Sequence, residues 1–519
     1  MTGCSRQHCQ PTASPADTQP CGATKGDIEV KWFRGKTYRG QHRAIVAVVA
    51  IALTAAACSS SRGSSATGGS STGAASSSGS SSVAAGGGAG SSTTAAAGAK
   101  FGTLDSPCGK GDAKGATAQG VTDASITIGY GDDAGFAQSP GLDAEMSDAM
   151  KGMIKWCNDQ GGILGRTITG TYYDAAILQV NAVMQQACKS VFMLVGEGWA
   201  LDEAAESTRV GCNLVAVPGF AVGPDFANGP MVYQGVPNPD DLTPGSAFYQ
   251  MRQLFPDKVK LGFLHTTLGA TESSINKAQE AATAAGFNVI DCGVKINYSG
   301  EASMAPFAQR FQTCGAQIVF YNLGSGPVLY NFLRAMTQAG VKATYLTDTN
   351  DYVQSLAQFN AGGDANNTFV RNSFQIVENA SLVPAVQTFV DAVKATGGKV
   401  NQLGEQSASS FLLWATAAKA CGSTLTRQCM LNQLAKVHKW DAGGLHAPTD
   451  PGANTPPTCG LLVGLTGTVY SQVVPKAQAQ FDCDPRYSVK ISPANWGTTL
   501  GADRIATKFL GPNILKAQP

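Results

Sequence analysis

From about residue 123 the spacing of apolar residues switches back and forth between two periods. The run SITIGYGDD (125–133) is nearly continuous and predicts a buried strand. Leu142, Met146, Ala149, Met150, Met153 and Cys157 then fall on one face of a helix. Ser139-Pro140 predicts the start of that helix, with serine as N-cap and proline in the first turn. Gly161-Gly162 predicts its end, and TITGTYYD (167–174) the next strand.

The alternation continues. Helix QVNAVMQQACK, strand SVFMLVGEG, short helix DEAAESTRV and strand NLVAVPGF complete a first series. A second begins at VKLGFLHTT (259–267) and runs through three further helix–strand pairs to ATYLTD (343–348). Strands separated by helices of this length predict βαβ units and parallel sheets, so the expected fold class is α/β with two Rossmann-like, doubly wound lobes. After about 370, strand-like RNSFQIV and helices PAVQTFVDAVKATGG, QSASSFLLWATAAKACG and RQCMLNQLAKV are expected to return to the first lobe. TCGLLVGL and TVYSQVV read as closing strands.

The turn CNDQGGILGRTI (157–168) could be a phosphate cradle or a helix stop. A cradle needs its glycines before a helix N-terminus, where the N–H groups point outward. Here the glycines follow a helix, which favours the stop.

The N-terminal part has a different texture. Lys31, Arg34, Lys36, Arg39 and Arg43 precede the apolar run AIVAVVAIALTAAA (44–57), and Cys58 follows. Fourteen apolar or small residues are too few to span a bilayer but suit the core of a signal peptide. The segment resembles a bacterial lipoprotein signal, with Ala55 where that pattern prefers leucine; the resemblance implies that Cys58 is lipidated and becomes the mature N-terminus. Ordinary signal-peptide cleavage nearby is the alternative, and either route exports the chain. The polar, cysteine-containing residues 1–30 point to a translation start near Val30. Residues 59–100 are almost wholly Ser, Gly, Ala and Thr, unable to bury a core. As a coil they would reach roughly 35 Å, the length of a tether. The expected organisation is an extension and signal over 1–57, an anchored linker over 58–100 and a two-lobed ligand domain over 101–519.

Charge adds exclusions. Only 14% of residues are charged and the net charge is +1, without the clustered Lys/Arg that nucleic acid requires. Ten cysteines follow the linker, an even number in an oxidising compartment, which predicts disulfides. Neighbours suggest Cys188–Cys212, Cys292–Cys314, Cys421–Cys429 and Cys459–Cys483, leaving Cys108 and Cys157, although spacing alone leaves connectivity open. With no CxxC and only His265, His438 and His446 beyond the linker, no metal and no cofactor is expected.

The helix ending in NDQGGILGR (158–166) and the following YYDAA (172–176) resemble the type I periplasmic binding proteins, the branched-chain-amino-acid-binding receptors of ABC transporters. VGEG (195–198), VAVPGF (215–220), QLGEQSASSFLLWATAAKACG and WDAGGL (440–445) agree with that likeness, which covers about 123–495. Cys188 and Cys212 sit where that family often has a disulfide. The resemblance implies two lobes, one built from about 123–235 and 370–458 and the other from about 236–369 and 459–495, with a ligand gripped between them at the carboxyl ends of the strands.

Strand ends then nominate the cleft residues. In lobe one these are Asp132, Asp133 and Phe136, then Glu197, Gly198 and Trp199, then Gly219, Phe220 and Ala221. In lobe two they are His265, Leu268, Ser325, Asp348 and Asn350. Each has a plainer reading: the aspartates as turn caps, Trp199 and Phe220 as packing, His265 as a satisfied strand-end histidine, Asp348 as a loop residue facing solvent. Relatives that bind amino acids usually place hydroxyl residues where Glu197, Trp199 and Ala221 stand here, and a tyrosine where Leu268 stands. That clamp is incomplete in this sequence. An amino acid, amide, short carboxylate, aromatic or modified amino-acid ligand therefore all remain open. The expected function is a monomeric, lipid-anchored solute receptor that binds a small polar ligand and delivers it to an ABC permease. A ligand sensor for a membrane partner is the first alternative. A secreted hydrolase is the second, although beyond the linker no GxSxG elbow, HExxH or Cys/His constellation is present.

Overall fold

A computed structural model describes residues 99–518. The signal-like segment, Cys58 with its expected lipid, and the linker up to residue 98 lie outside the described residues.

Strands β1 (Ser125–Asp132) and β2 (Thr167–Asp174) pair in parallel along their whole length, Ser125 opposite Thr167 and Asp132 opposite Asp174. Strands β3 (Leu194–Val195) and β4 (Ala216–Val217) extend this first sheet in the order β2-β1-β3-β4. Both are much shorter than the apolar runs around them predict. Gly196 turns the chain at φ 72°, and Pro218 has no N–H to continue a ladder.

The second sheet uses β5 (Lys260–Phe263), β6 (Asn288–Ile290), β7 (Ile318–Tyr321), β8 (Thr344–Thr347) and β9 (Thr368–Asn372), parallel in the order β6-β5-β7-β8-β9. Antiparallel β10 (Cys459–Thr466) and β11 (Val469–Val474) close it. The strand expected at 371–377 is thus β9, begun earlier, and it belongs to lobe two rather than to the return. Thr368, Val370 and Asn372 alternate inward and Thr347 pairs with Val370, which leaves the crossing to begin after Asn372.

The larger helices are α1 (Ala144–Asp159), α2 (Val180–Ser190), α3 (Ser246–Leu254), α4 (Gly269–Ala284), α5 (Ala305–Cys314), α6 (Pro327–Gln338), α7 (Pro384–Lys394), α8 (Gln402–Cys421) and α9 (Arg427–Leu434). Helix α8 is the spine of lobe one. Phe411, Leu412, Leu413 and Trp414 are all fully buried, each side chain contributing about 1.5–3 kcal/mol by leaving water.

Helix α1 starts four residues later than Ser139 predicts, with Asp143 in the N-cap place. The chain from Phe136 to Asp143 folds as successive turns instead, with Gly141 at φ 85° and Asp143 at φ 58°. Left-handed residues cannot belong to a helix, so regular structure begins only at Ala144. At the other end Gly161 and Gly162 stop the helix at φ 112° and 72°. A Cβ on Gly162 would come within 2.0 Å of the Arg166 carbonyl oxygen, so the glycine pair belongs to the fold.

Five disulfides join Cys108–Cys157, Cys188–Cys212, Cys292–Cys314, Cys421–Cys429 and Cys459–Cys483. The chain crosses between lobes near residues 235–245, after Asn372, and before Cys459; Phe374 and His446 pair across two of these crossings. It then returns a last time. Beyond Ser488–Lys490, which pairs with Leu242–Pro244, the C-terminal residues run back along lobe one. There Lys508 meets Asp225, Leu515 N–H donates to Asn213 Oδ1 at 2.9 Å, and Gln518 N–H donates to Asn432 Oδ1 at 2.7 Å.

Candidate ligand cleft

In both sheets the first strand lies between the second and third, so the winding reverses direction beside β1 and β5. Loops at the carboxyl ends of strands splay apart at such a point and leave a crevice. A cavity of about 260 Å³ opens there, lined from both lobes. Phe136, Leu142, Phe220, Leu268, Tyr298 and Leu323 supply apolar surface, and Asn238, Asn322, Asn350, Gln138 and Gln406 supply amides. The lobes touch at its mouth. Phe136 stacks on Tyr298 with ring centres 6.3 Å apart, and a Cβ on Gly326 would lie 3.1 Å from Ser139 Oγ.

Half of the residues nominated from strand ends line this cavity: Phe136, Gly219, Phe220, Ala221, Leu268, Asp348 and Asn350. The others stand behind it. Asp133 Oδ1 accepts from Ile177 N–H at 2.6 Å and Oδ2 from Ala200 N–H at 2.7 Å, so it clamps two loops together. Asp132 accepts from the Tyr172 hydroxyl at 2.7 Å and Ala134 N–H at 3.1 Å. Trp199 is fully buried in lobe one's packing. Gly198 is small because Phe220 lies on it: a Cβ there would come within 2.5 Å of the ring. Glu197 is buried with no partner for either oxygen among the described residues. His265 faces Glu272 and Gln279 at 3.3 Å each, and Ser325 donates to Asp351 Oδ1 at 3.0 Å. These positions lie at strand ends as the sequence indicates. Their side chains turn away from the cavity, where they satisfy backbone donors, meet neighbouring side chains or lie buried.

Burial governs the electrostatics. It pushes the Asp133 carboxyl up to about 6 against two backbone hydrogen bonds, and the Glu197 carboxyl up to about 8 against the attraction of Arg209. Asp351 rises to about 7 by burial, opposed by the hydroxyls of Thr347 and Ser325. At Asp348 burial also works upward, but the Arg371 guanidinium beside it holds the carboxyl below its ordinary value. That contact is bidentate, with Arg371 Nε donating to Oδ1 at 2.8 Å and Nη2 to Oδ2.

Strand-end reasoning misses Asp143, Asn238, Tyr298, Asn322, Arg371 and Gln406, all of which line the cavity. Asn238 lies on a crossing, Tyr298 on the loop after Lys295–Ile296, Arg371 on β9 and Gln406 on α8. The crossing, β9 and α8 do not end beside their own lobe's first strand, whereas Lys295–Ile296 pairs with His265–Thr266 and Asn322 directly follows β7, so Tyr298 and Asn322 stand just outside the strand-end residues nominated. Arg371 had a visible signal, a lone cation in an apolar strand. Ser409 and His446, in contact at 2.8 Å, are both buried; the Trp440 indole also donates to Ser409 and the Ala447 carbonyl lies against the imidazole. That pair belongs to the lobe-one interior and does not line the cleft.

Comparison with solved structures gives the same architecture. A fatty acid ABC transporter substrate-binding protein from Thermomonospora curvata aligns with TM-score 0.57 at 16% identity, covering 75% of this chain and 98% of that one. A substrate-binding periplasmic protein from Ralstonia solanacearum gives 0.57 at 15%, over 67% and 100%. A branched chain amino acid ABC transporter protein from Thermus thermophilus with bound valine gives 0.57 at 11%, over 70% and 97%. Identities this low establish fold alone. No curated protein sequence matches. A model of the periplasmic binding protein family, however, matches residues 125–466, well over half of the chain. With two doubly wound lobes closing on one cleft and that match across both, the chain belongs to the periplasmic binding protein family.

Proposed function

We propose that the protein is an exported solute receptor that holds a small ligand between its lobes and hands it to an ABC importer, with Cys58 as lipid anchor and the Ser/Gly/Ala segment as tether. One observation carries this reading: the cavity of about 260 Å³ lies at the winding reversal of both sheets and takes its walls from both lobes. A site so placed couples occupancy to the angle between lobes, which is what a membrane partner can sense. Phe136, Gly219, Phe220, Ala221, Leu268, Asp348 and Asn350 are the proposed contacts among the strand-end residues, joined by Asn322, Tyr298 and Arg371. The ligand has an apolar body and a small polar head, since the lining is largely apolar between amides and hydroxyls. One similar structure holds valine and another belongs to a fatty acid ABC transporter, at 11% and 16% identity, so neither ligand transfers by likeness.

Thermal unfolding of the exported chain with amino acids, amides, short carboxylates, amines, aromatic acids and sugars tests the proposal. A ligand at 100 times its Kd adds about 2.7 kcal/mol of stability. A selective rise supports the receptor reading. A folded chain unmoved by every member counts against it.

A further inference from the structure

We infer that Asp143 is the specificity-determining residue of the cleft and that it selects a ligand whose polar head is a cationic amine on an apolar, aromatic-sized body. The inference rests on the receptor reading above and concerns the same cavity.

The charge of the lining comes first. Of the residues that line the cavity only Asp143, Asp348 and Arg371 are charged. Asp348 and Arg371 form the bidentate pair already described and cancel each other. Asp143 is left over. Its side chain makes no cap to α1, and it has no hydrogen bond or ion pair among the described residues. The lobe-one wall behind it adds to its charge instead of balancing it. Burial first, then Asp133, Glu145 and Asp132, raise its pKa well above the ordinary carboxyl value. Without a counter-ion such a carboxyl holds its proton more tightly, and a ligand cation beside it favours the carboxylate and supplies the missing charge.

The rest of the wall fits the same chemistry. Phe136, Phe220 and Tyr298 all line the cavity. Aromatic faces attract cations through their quadrupole and gain nothing from anions. A carboxylate ligand would meet Asp143 and the carboxylates behind it, while the Arg371 guanidinium is already engaged. The other acid that lines the cavity, Asp348, is in lobe two. Here that acid is tied to Arg371, and the free one is on the opposite wall.

The backbone makes the test clean. Asp143 sits in the left-handed region at φ 58°, ψ 13°, which asparagine and glycine adopt readily. Asp143→Asn and Asp143→Gly therefore remove the charge without adding strain. Titration calorimetry of the exported chain with phenethylamine, 2-phenylethanol and 3-phenylpropionate compares one apolar body with three heads. The amine is expected to bind at least tenfold tighter than the alcohol, with the carboxylate weakest. In Asp143→Asn and Asp143→Gly the amine should fall at least tenfold, to the level of the alcohol, while the alcohol is unchanged. Tightest binding by the carboxylate, or an amine preference that survives both substitutions, overturns the role of Asp143 and leaves the cleft as a receptor site. If none of the three binds, the amine class is overturned; the wider ligand panel then decides separately whether the cleft is a receptor site at all.

Discussion

In lobe one, the loops behind the cleft are held by carboxylates. Asp133 accepts two backbone N–H groups, and Asp202 accepts three, from Glu203, Val222 and Gly223 at 2.7–2.9 Å. In lobe two the corresponding loops are held mostly by neutral groups. Thr266 Oγ1 accepts from Leu268 N–H at 3.1 Å, and a relay of amides runs from Asn350 to Asn322 to Ser274 with 3.1 Å steps. The carboxylates that lobe two does place there are matched: Asp348 by Arg371, Asp351 by hydroxyls, and Glu272, which accepts from Thr266 N–H at 3.0 Å, by Lys295 at 3.5 Å. Bonds to a charged acceptor are stronger than neutral ones, and burying the charge makes the loss of a partner costly. Lobe one is therefore a preformed, anionic half-site whose stability depends on its proton balance. Lobe two is a charge-balanced half-site, and its neutral bonds are ones that water can replace.

The buried pair Glu206–Arg209 tests the lobe-one side most severely. Both side chains are fully buried; Arg209 Nε and Nη2 meet the two Glu206 oxygens at 2.7 and 2.6 Å, and Nη1 and Nη2 donate to the carbonyls of Leu214 and Pro230. Arg209→Ala leaves a buried carboxylate and two carbonyls without partners. The expected loss is about 3–5 kcal/mol, read as a lower denaturation midpoint at unchanged m-value. A loss below about 1 kcal/mol would mean that charge contributes little to this lobe.

Glu197 lies a few residues away and has the opposite status, buried and unpartnered. Its carboxyl is raised by burial to about 8, against about 4.5 in the unfolded chain. The folded state thus binds the extra proton between these values, so Glu197 lowers stability as pH rises from about 4.5 to about 8, with the full penalty above that. Glu197→Gln should be near neutral at pH 4.5 and more stable than the parent by about 2–3 kcal/mol at pH 9. Unfolding of both proteins across that range would measure it. Parallel pH curves for the two would remove Glu197 from the argument.

The sequence makes the sheets legible because their inner strands are buried on both faces, some outer ones alternate, and their connecting helices are amphipathic. Both kinds of residue spacing are local. The β1 and β2 bounds and the glycine stop after α1 follow from short windows. The cleft is only half legible. Strand ends show where loops gather, which finds Phe220 and Leu268. They do not show which way a side chain turns, so Glu197 and Trp199 are nominated although both point into the core. Asp143 is missed for a different reason. Ser139-Pro140 is a sound helix signal, but Gly141 and Asp143 override it with left-handed turns that bring the loop to the cavity. Arg371 and Tyr298 become site residues only through tertiary contacts, which no period along the chain encodes.

The smallest expected effect is on the neutral side. Asn350 Nδ2 donates to Asn322 Oδ1 at 3.1 Å, and its own Oδ1 has no partner among the described residues. Asn350→Ala removes one neutral bond and relieves one unsatisfied acceptor. Asn322 keeps its bond to Ser274 and faces the cavity, where water can replace the lost donor. The change in stability should be within about 1 kcal/mol and flat between pH 5 and 9, because no titrating group loses a partner. Denaturation at several pH values reads both features together. A loss above about 3 kcal/mol would show that lobe two is held as tightly as lobe one. A pH-dependent loss would show that its amides are coupled to Asp348 or Asp351. Either result would end the contrast between the half-sites, whereas a small, flat effect leaves lobe two as the wall free to adjust around a ligand held first by lobe one.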